Sequence, residues 1–181
     1  MTILGRRVRL RAIERSDIPT FVRWLNDPEV TQYLLMYMPM SLAQEERWFE
    51  GHLNDSHSHV FGIETEEGKL IGNIGIDHID WKDRKAELGI VIGEKKVWDR
   101  GYGTAATRAL VEFAFTTLNL REVRLSCHQD NRRGLRCYQK VGFRTTTAIH
   151  EPRVYGDSEV RMTIDRQRWA EIRSRIADRG R

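Results

Sequence analysis

The chain has 181 residues, of which 40% are hydrophobic and 31% are charged, and its formal net charge is +4. This balance is ordinary for a globular domain, and no repeat, low-complexity stretch or linker interrupts it, so we predict one domain over residues 1–181. No apolar run approaches the roughly 20 residues that span a bilayer, which excludes a membrane-spanning class. Two cysteines are too few for a disulfide framework, so the expected location is the reducing cytoplasm.

The modest positive charge favours anionic partners such as nucleotides and cofactors. Much of this charge lies in the C-terminal segment, residues 166–181, where acidic residues are interleaved with arginines. Such a pattern is typical of a solvated basic helix and tail. Because no aromatic platform accompanies the basic residues, nucleic-acid binding is disfavoured.

The chain begins with a predicted strand and two predicted helices. Residues 8–13 alternate apolar residues with arginine, which is the pattern of a half-buried strand. Apolar residues recur at helical spacing over residues 18–25, and the Asn-Asp-Pro sequence that follows indicates the end of that helix. Ser41 and Gln44 have the spacing of a capping box, so a second helix is predicted over residues 41–54.

For the rest of the chain, the pattern predicts a meander of three strands. A long helix, a strand, a helix, two strands and a C-terminal helix are predicted to follow it. The predicted strands cover residues 60–65, 70–76, 87–92, 122–127, 143–149 and 159–164, and the predicted helices 101–118 and 132–141. The meander favours antiparallel pairing, whereas the strand–helix–strand unit requires one parallel join. We therefore predict an α/β (α+β) domain with a mixed, mostly antiparallel sheet of about seven strands and helices on both faces.

A glycine-containing loop lies between the fourth predicted strand and the long helix. Gly101, Gly103 and Ala105 leave the first amides of that helix accessible, and a helix N-terminus attracts anions. The loop is therefore either a pyrophosphate site or a structural turn. It lacks the lysine of a P-loop, and an antiparallel meander does not fit the doubly wound sheet of a dinucleotide fold.

A second segment with polar and aromatic residues at fixed spacing follows the fifth predicted strand. The two segments read Arg100-x-x-Gly103-x-Ala105 and Asn131-x6-Tyr138-x-Lys140-x-Gly142-Phe143. Together and in this order they resemble the motifs of the GNAT superfamily of N-acetyltransferases. Residues 8–13, 24–30, 86–92 and 155–164 are similar to the branch that contains ribosomal-protein N-terminal acetyltransferases and spermidine acetyltransferases.

The resemblance implies where an acetyl donor binds. It implies that the fourth and fifth strands splay apart, that the pantetheine of acetyl-CoA pairs with the fourth strand in this gap, and that loop amides hold the pyrophosphate. The cofactor-binding residues implied in this way are Ile90, Val91, Ile92, Arg100, Gly101, Tyr102, Gly103, Thr104, Ala105, Asn131 and Tyr138. The resemblance is also compatible with a homodimer, for which no interface residues are predicted.

Acetyl transfer to an amine requires a proton donor for the departing thiolate, an oxyanion donor and a route for the amine proton. The family spacing makes Tyr138 the expected acid, because a phenol with a pKa of about 10 is protonated at neutral pH; core packing is the alternative role. The expected oxyanion donor is the backbone N–H of Val91 or of a residue one or two positions away. Glu87 lies on the same strand face and is a candidate general base or a partner of an arginine in a cross-strand ion pair.

Other nucleophiles and metal ligands are not expected to take part. Cys127 and Cys137 fit buried, inert thiols better than an acyl-enzyme nucleophile. His52, His57 and His59 cluster without the cysteines or carboxylates of a zinc set, so no metal site is predicted.

The expected function is acetyl-CoA-dependent transfer of acetyl to a primary amine, with a protein N-terminal α-amine as the first choice. A polyamine, an aminoglycoside or another small amine is the alternative acceptor, and a non-catalytic acyl-CoA sensor is the alternative from another class. An α-amine has a pKa near 7.7–8.0 and would need a base far less than a lysine-type amine with a pKa near 10.4.

Overall fold

Eight strands form one sheet in the computed structural model, which describes residues 2–34, 36, 38–149 and 159–178. They are β1 (Ile3–Gly5), β2 (Val8–Ala12), β3 (His59–Thr65), β4 (Leu70–Asp80), β5 (Lys85–Ile92), β6 (Glu122–His128), β7 (Arg144–Ile149) and β8 (Glu159–Asp165). They lie in the order β1-β2-β3-β4-β5-β6-β8-β7. Seven strands were expected; β1 is the additional one, because three residues are too few to show a period of two.

The helices are α1 (Ile18–Leu25), α2 (Pro28–Thr31), α3 (Leu42–His52), α4 (Tyr102–Thr116), α5 (Arg132–Val141) and α6 (Arg166–Asp178). The capping box before α3 is confirmed, since Ser41 Oγ accepts the Gln44 N–H at 3.2 Å and Gln44 Oε1 accepts the Ser41 N–H at 2.9 Å. The basic C-terminal helix is α6, and residues 155–158 and 179–181 of the predicted segments lie outside the described residues. Over the described ranges, no helix is long and apolar enough to cross a membrane.

One pair of neighbouring strands diverges along its length. All described strand pairs are antiparallel except β5 and β6, which pair in parallel from Lys85 opposite Glu122 to Glu87 opposite Arg124. Past Glu87, β5 keeps its antiparallel partner β4 as far as Ile92 but no longer pairs with β6. The expected splay between the fourth and fifth predicted strands is therefore confirmed, and it opens a gap in the sheet.

Alternation of side chains places helices on both faces of the sheet. Leu10 and Ile63 face each other on β2 and β3 and are fully buried in the core cluster that contains Leu110 of α4. Arg11, the next residue along β2, points to the opposite face and binds Asp17 at the start of α1. The layered arrangement predicted from the sequence is therefore confirmed.

An ion-pair network fixes the start of α1 on the sheet. Arg11 donates from Nη1 to Asp17 Oδ2 at 2.6 Å and from Nη2 to Asp17 Oδ1 at 2.9 Å, and its Nε donates to Glu64 Oε1 at 2.5 Å. The hydrogen bonds to Asp17 are the main reason why the pKa of Arg11 lies above its ordinary value. Because the pair is bidentate and Asp17 is buried, it sets the direction in which α1 leaves the sheet.

Two glycines, Gly89 within β5 and Gly93 directly after it, provide a matched test of how α1 packs on the sheet. A β-carbon on Gly93 would lie 2.0 Å from Cδ2 of the buried Trp24, whereas a β-carbon on Gly89 would meet nothing within 4 Å. We expect Gly93→Ala to lower the free energy of unfolding by about 2 kcal/mol, because an overpacked site has to shift its neighbours. Gly89→Ala should change it by less than about 1 kcal/mol. Urea denaturation of both variants measures the difference, and equal stabilities would contradict the packing of α1 against Gly93.

Candidate active site

A cleft of about 180 Å³ lies at the gap between β5 and β6. Its walls come from the end of β5, the N-terminus of α4, the facing side of α5, and α2 with the residues after it. The predicted site residues that line the cleft are Ile90, Val91, Ile92, Gly101, Tyr102, Gly103, Thr104, Asn131 and Tyr138. Three predicted site residues do not line it: Arg100, Ala105 and Glu87.

The N-terminus of α4 presents unpaired amides to this cleft. Gly101, the N-cap residue, has φ 86, which favours glycine, and no side chain among the described residues caps the helix. Among the described residues, the N–H groups of residues 101–104 have no backbone acceptor, whereas the Ala105 N–H donates to the Gly101 carbonyl at 3.0 Å. The free amides and the positive end of the helix dipole fit a pyrophosphate. The Ala105 amide is already used within the helix, so we place the anion-binding amides at residues 101–104.

The end of β5 supplies backbone groups to the same cleft. A β-carbon on Gly72 of β4 would lie 2.2 Å from the Val91 carbonyl oxygen, so the Val91 peptide faces β4. Peptides alternate in direction along a strand, so those of Ile90 and Ile92 face the gap. The Ile92 carbonyl accepts the indole N–H of Trp98 at 2.7 Å. The Ile92 carbonyl, one of the β5 groups that face the gap, is therefore already hydrogen-bonded within the protein.

Tyr138 lies on α5 with its ring in the core and its edge on the cleft. It is 8% exposed, and its ring meets Phe143 edge-on with the centroids 6.0 Å apart. Burial raises the pKa of Tyr138 above its usual value, with a smaller contribution from Cys127 and Cys137. The phenol is therefore protonated at neutral pH, as a proton donor must be. The position of Tyr138 is therefore compatible with both predicted roles, core packing and proton donation.

Asn131 has a structural role that the sequence motif does not reveal. Its Oδ1 accepts the Gly134 N–H at 2.8 Å and so caps the N-terminus of α5. The cap fixes where α5 begins, and Tyr138 follows two turns later on the cleft side. The Asn–Tyr spacing therefore positions the phenol, and Asn131 itself also borders the cleft.

Basic side chains on α5 make this wall of the cleft positive. Arg133, Arg136 and Lys140 follow one another at helical spacing and all line the cleft. The guanidinium of Arg133 lies 3.7 Å from the centroid of the Trp98 ring, across from the loop before α4. A polyanion bound at the α4 N-terminus would meet these charges, which is consistent with the phosphates of a coenzyme.

The two thiols have the properties of packing residues. Cys137 lines the cleft and Thr104 Oγ1 donates to its Sγ at 3.5 Å, while Cys127 is buried at the end of β6. Burial raises the pKa of Cys137, and burial raises the pKa of Cys127 to about 12. Both thiols are therefore protonated at neutral pH, which makes them poor nucleophiles.

Glu87 lies on β5 outside the cleft lining. Its Oε2 is 3.5 Å from Nδ1 of His78, and in the sheet it lies opposite Asp77 and Arg124. Gly89, between Glu87 and Val91 on the same face, leaves the intervening surface open. The basic side chain nearest to the Glu87 carboxylate is therefore a histidine rather than the expected arginine.

A wall on the far side of the cleft comes from α2, which the sequence analysis missed. Asp27 caps this short helix by accepting the Glu29 N–H at 3.0 Å, and Pro28 occupies its first position. An Asp-Pro pair is a helix start signal as well as a turn signal, so the sequence contained the information. Glu29 and Tyr33 line the cleft, and Lys95 binds Asp27 and Glu29 at 2.7 and 2.8 Å.

The histidine cluster after α3 is not arranged around a metal. Nε2 of His52 lies 3.1 Å from Ser58 Oγ, and Ser58 donates to Asp77. In the part of the chain that the structure describes, no three histidine, cysteine or carboxylate side chains are placed to hold a metal ion.

Comparison with known proteins identifies the family. The model of the acetyltransferase (GNAT) domain matches residues 7–144. An uncharacterized N-acetyltransferase p20 of Bacillus licheniformis is 26% identical over 147 residues, which cover 78% of this chain and 82% of that protein. The spermidine N(1)-acetyltransferase of Vibrio cholerae is 24% identical over 140 residues, 77% of this chain and 80% of that enzyme. Human alpha/beta-tubulin-N-acetyltransferase 9 is 24% identical over 175 residues, 90% and 83% of the two chains.

The fold has a close counterpart among solved structures. The crystal structure of spermidine N-acetyltransferase from Vibrio cholerae, in complex with CoA and spermine, superimposes with a TM-score of 0.84 at 23% identity. The match covers 91% of this chain and 98% of that one. Since the domain model matches well over half of the chain and the solved counterpart shares the fold, this protein belongs to the GNAT family of N-acetyltransferases, which use acetyl-CoA as the acetyl donor.

Proposed function

We propose that the protein transfers the acetyl group of acetyl-CoA to a primary amine of a polyamine or a similar small amine. The observation that carries this proposal is the cleft itself, where the free amides of residues 101–104, the outward-facing peptides of β5 and the phenol of Tyr138 meet in the β5–β6 gap. Acetyl-CoA supplies the activated acetyl thioester. The residues of the chain hold it, polarise it and move the protons.

Each end of the cleft has its own task. The amides of residues 101–104 and the basic side chains of α5 bind the phosphates, which leaves the thioester to reach toward Tyr138. A backbone N–H of β5 stabilises the negative charge on the acetyl oxygen. The sequence predicted Val91 or a residue one or two positions away, and the neighbouring amides of Ile90 and Ile92 fit this role better, because the Val91 peptide faces β4. As the C–N bond forms and the C–S bond breaks, Tyr138 donates its proton to the sulfur and is reprotonated from solvent.

We propose that Glu87 accepts the amine proton through water. Its carboxylate lies on the open face past Gly89, which supports a relay, while its contact with His78 supports the purely structural alternative. We expect Glu87→Gln to lower kcat/KM about tenfold at pH 7, and His78→Ala to leave it within about twofold. The deficit should shrink toward pH 10, because the acceptor amine loses its proton unaided there. Steady-state rates from pH 6.5 to 10 provide the measurement, and equal losses in both variants would support the ion pair alone.

The relatives support a polyamine acceptor over the protein α-amine that the sequence motifs first suggested. Among the curated relatives, those from Vibrio cholerae and two Escherichia coli strains are spermidine N(1)-acetyltransferases. In this chain, Glu29 and Tyr33 line the wall of the cleft that faces α5. The ring of Tyr33 can attract an ammonium group, whereas the Glu29 carboxylate is already paired with Lys95 at 2.8 Å. A protein amine is the second candidate, because the tubulin acetyltransferase relative matches 90% of this chain.

A thiol-release assay with acetyl-CoA and a panel of acceptors tests the proposal. Spermidine, spermine, an aminoglycoside, a lysine peptide and peptides with free α-amines form the panel. We expect the highest kcat/KM with a polyamine. A preference for α-amine peptides would restore the first sequence-based choice, and tight acetyl-CoA binding without turnover on any acceptor would identify a sensor.

Two further expectations stay predictions. A homodimer was expected from the family resemblance, and one solved structure of the Vibrio cholerae spermidine N-acetyltransferase is dodecameric. The cytoplasmic location was expected from the low cysteine content. Light scattering of the purified protein would determine its assembly state.

A further inference from the structure

The hairpin of β1 and β2 lies against the first turns of α4. A β-carbon on Gly5 would lie 2.9 Å from Ala109 Cβ and 3.5 Å from the Ala105 carbonyl oxygen. Gly5 pairs with Val8, so Arg6 and Arg7 form the two-residue turn of the hairpin. This turn therefore sits beside the helix whose N-terminus presents free amides to the cleft.

The side chain of Arg7 contacts the loop residues that lead into those amides. Its Nη1 donates to the Arg100 carbonyl at 2.8 Å, and its guanidinium lies 4.8 Å from the centroid of the Tyr102 ring. A β-carbon on Gly101 would be 3.8 Å from the same Nη1. One side chain thus touches or borders residues 100, 101 and 102, although it is 93 positions away from Arg100 in the sequence.

The backbone of Arg7 adopts a conformation that is uncommon for an arginine. Its φ is 72, in the left-handed region that favours glycine or asparagine in two-residue hairpin turns. An arginine in this conformation costs stability that a glycine would not. The turn therefore retains an arginine where local geometry favours a smaller residue, and the contacts with residues 100–102 are the compensating interactions seen in the structure.

We propose that Arg7 is a positioning residue for acetyl-CoA. It holds the Arg100 carbonyl and the Tyr102 ring on either side of Gly101, and so keeps the amides of residues 101–104 directed into the cleft. Its charge also strengthens the positive field at the helix N-terminus. This inference rests on the proposed position of the pyrophosphate.

The test compares two asparagine variants of the same turn. Arg7→Asn removes the contacts with the loop, and asparagine accepts a φ of 72, so the fold should be kept. Arg6→Asn removes the same charge one residue earlier, where no contact with the loop exists among the described residues. Calorimetric titration with CoA should show affinity about fivefold to tenfold weaker for Arg7→Asn and within twofold of wild type for Arg6→Asn. For Arg7→Asn, the KM for acetyl-CoA should rise by the same factor as the loss of CoA affinity, while kcat and the KM for the acceptor stay unchanged.

Arg7→Lys separates shape from charge. Lysine keeps the charge but lacks the planar fork, so we expect an affinity between those of wild type and Arg7→Asn. Equal CoA affinities for Arg7→Asn and Arg6→Asn would overturn the proposal, as would a lower melting temperature of Arg7→Asn with full CoA affinity. Failure of the wild-type protein to bind CoA would overturn the proposed function instead.

Discussion

Replacing Tyr138 with phenylalanine is expected to lower kcat about a hundredfold while leaving CoA affinity nearly unchanged. Loss of a general acid typically costs a factor of about 10² to 10⁴. Phenylalanine keeps the ring that packs edge-on against Phe143, so the core at α5 should be preserved. Single-turnover rates with saturating acetyl-CoA, together with calorimetric titration of CoA, separate the chemical step from binding.

Tyr33 provides the matched control for this substitution. It is a tyrosine on the opposite wall of the same cleft, so Tyr33→Phe removes a hydroxyl without removing the proposed proton donor. We expect its kcat to stay within about threefold of wild type. If Tyr138→Phe and Tyr33→Phe have the same kcat, Tyr138 is a packing residue and the proton comes from elsewhere.

The pH dependence of kcat tests the direction in which the pKa of Tyr138 is shifted. Burial raises the pKa of Tyr138 above its usual value of about 10, so the donor stays protonated throughout the neutral and mildly alkaline range. The wild-type kcat should therefore not fall between pH 7 and 10. A decline of kcat with an inflection below pH 9 that is absent in Tyr138→Phe would show that the phenol ionises early.

Gly103→Asp is expected to weaken acetyl-CoA binding strongly while leaving the fold intact. A β-carbon there would be 3.7 Å from Cys137 Sγ and from Ile92 Cγ1, which is ordinary van der Waals contact. An aspartate in the first turn of α4 also complements the helix dipole. The same carboxylate would face the pyrophosphate, and like charges about 4 Å apart near a protein surface repel by about 4 kcal/mol. Allowing for screening, we expect CoA affinity to fall at least about a hundredfold.

Gly103→Asn is the isosteric control, since it has the same shape without the charge. Its CoA affinity should fall less than about tenfold, and Gly103→Ala should stay within about threefold of wild type. Thermal melts without ligand should give all three variants a melting temperature close to that of wild type. Equal affinities for the aspartate and asparagine variants would place the phosphates away from the N-terminus of α4.

Local pattern explains why most of the fold could be predicted. The alternation over residues 8–13 and the capping box at Ser41 and Gln44 act between residues a few positions apart, and both are confirmed. The same locality explains two errors: β1 is too short to show a period, and the Asp-Pro sequence before α2 was interpreted only as the end of α1. An Asp-Pro sequence can mark either the end of one helix or the start of the next. Only the packed structure shows that it does both here.

By itself, the sequence determined the order of the elements apart from β1 and α2, the loop before α4 and the spacing that leads from Asn131 to Tyr138. It could do so because helix caps and helix turns depend on neighbours in the chain. Which groups are available for chemistry was decided only by tertiary structure. The Ala105 amide is used within α4, Glu87 lies outside the cleft lining, and Arg7 of the β1–β2 turn donates to the Arg100 carbonyl. These outcomes depend on hydrogen bonds and on contacts between distant segments, and no short-range pattern records them.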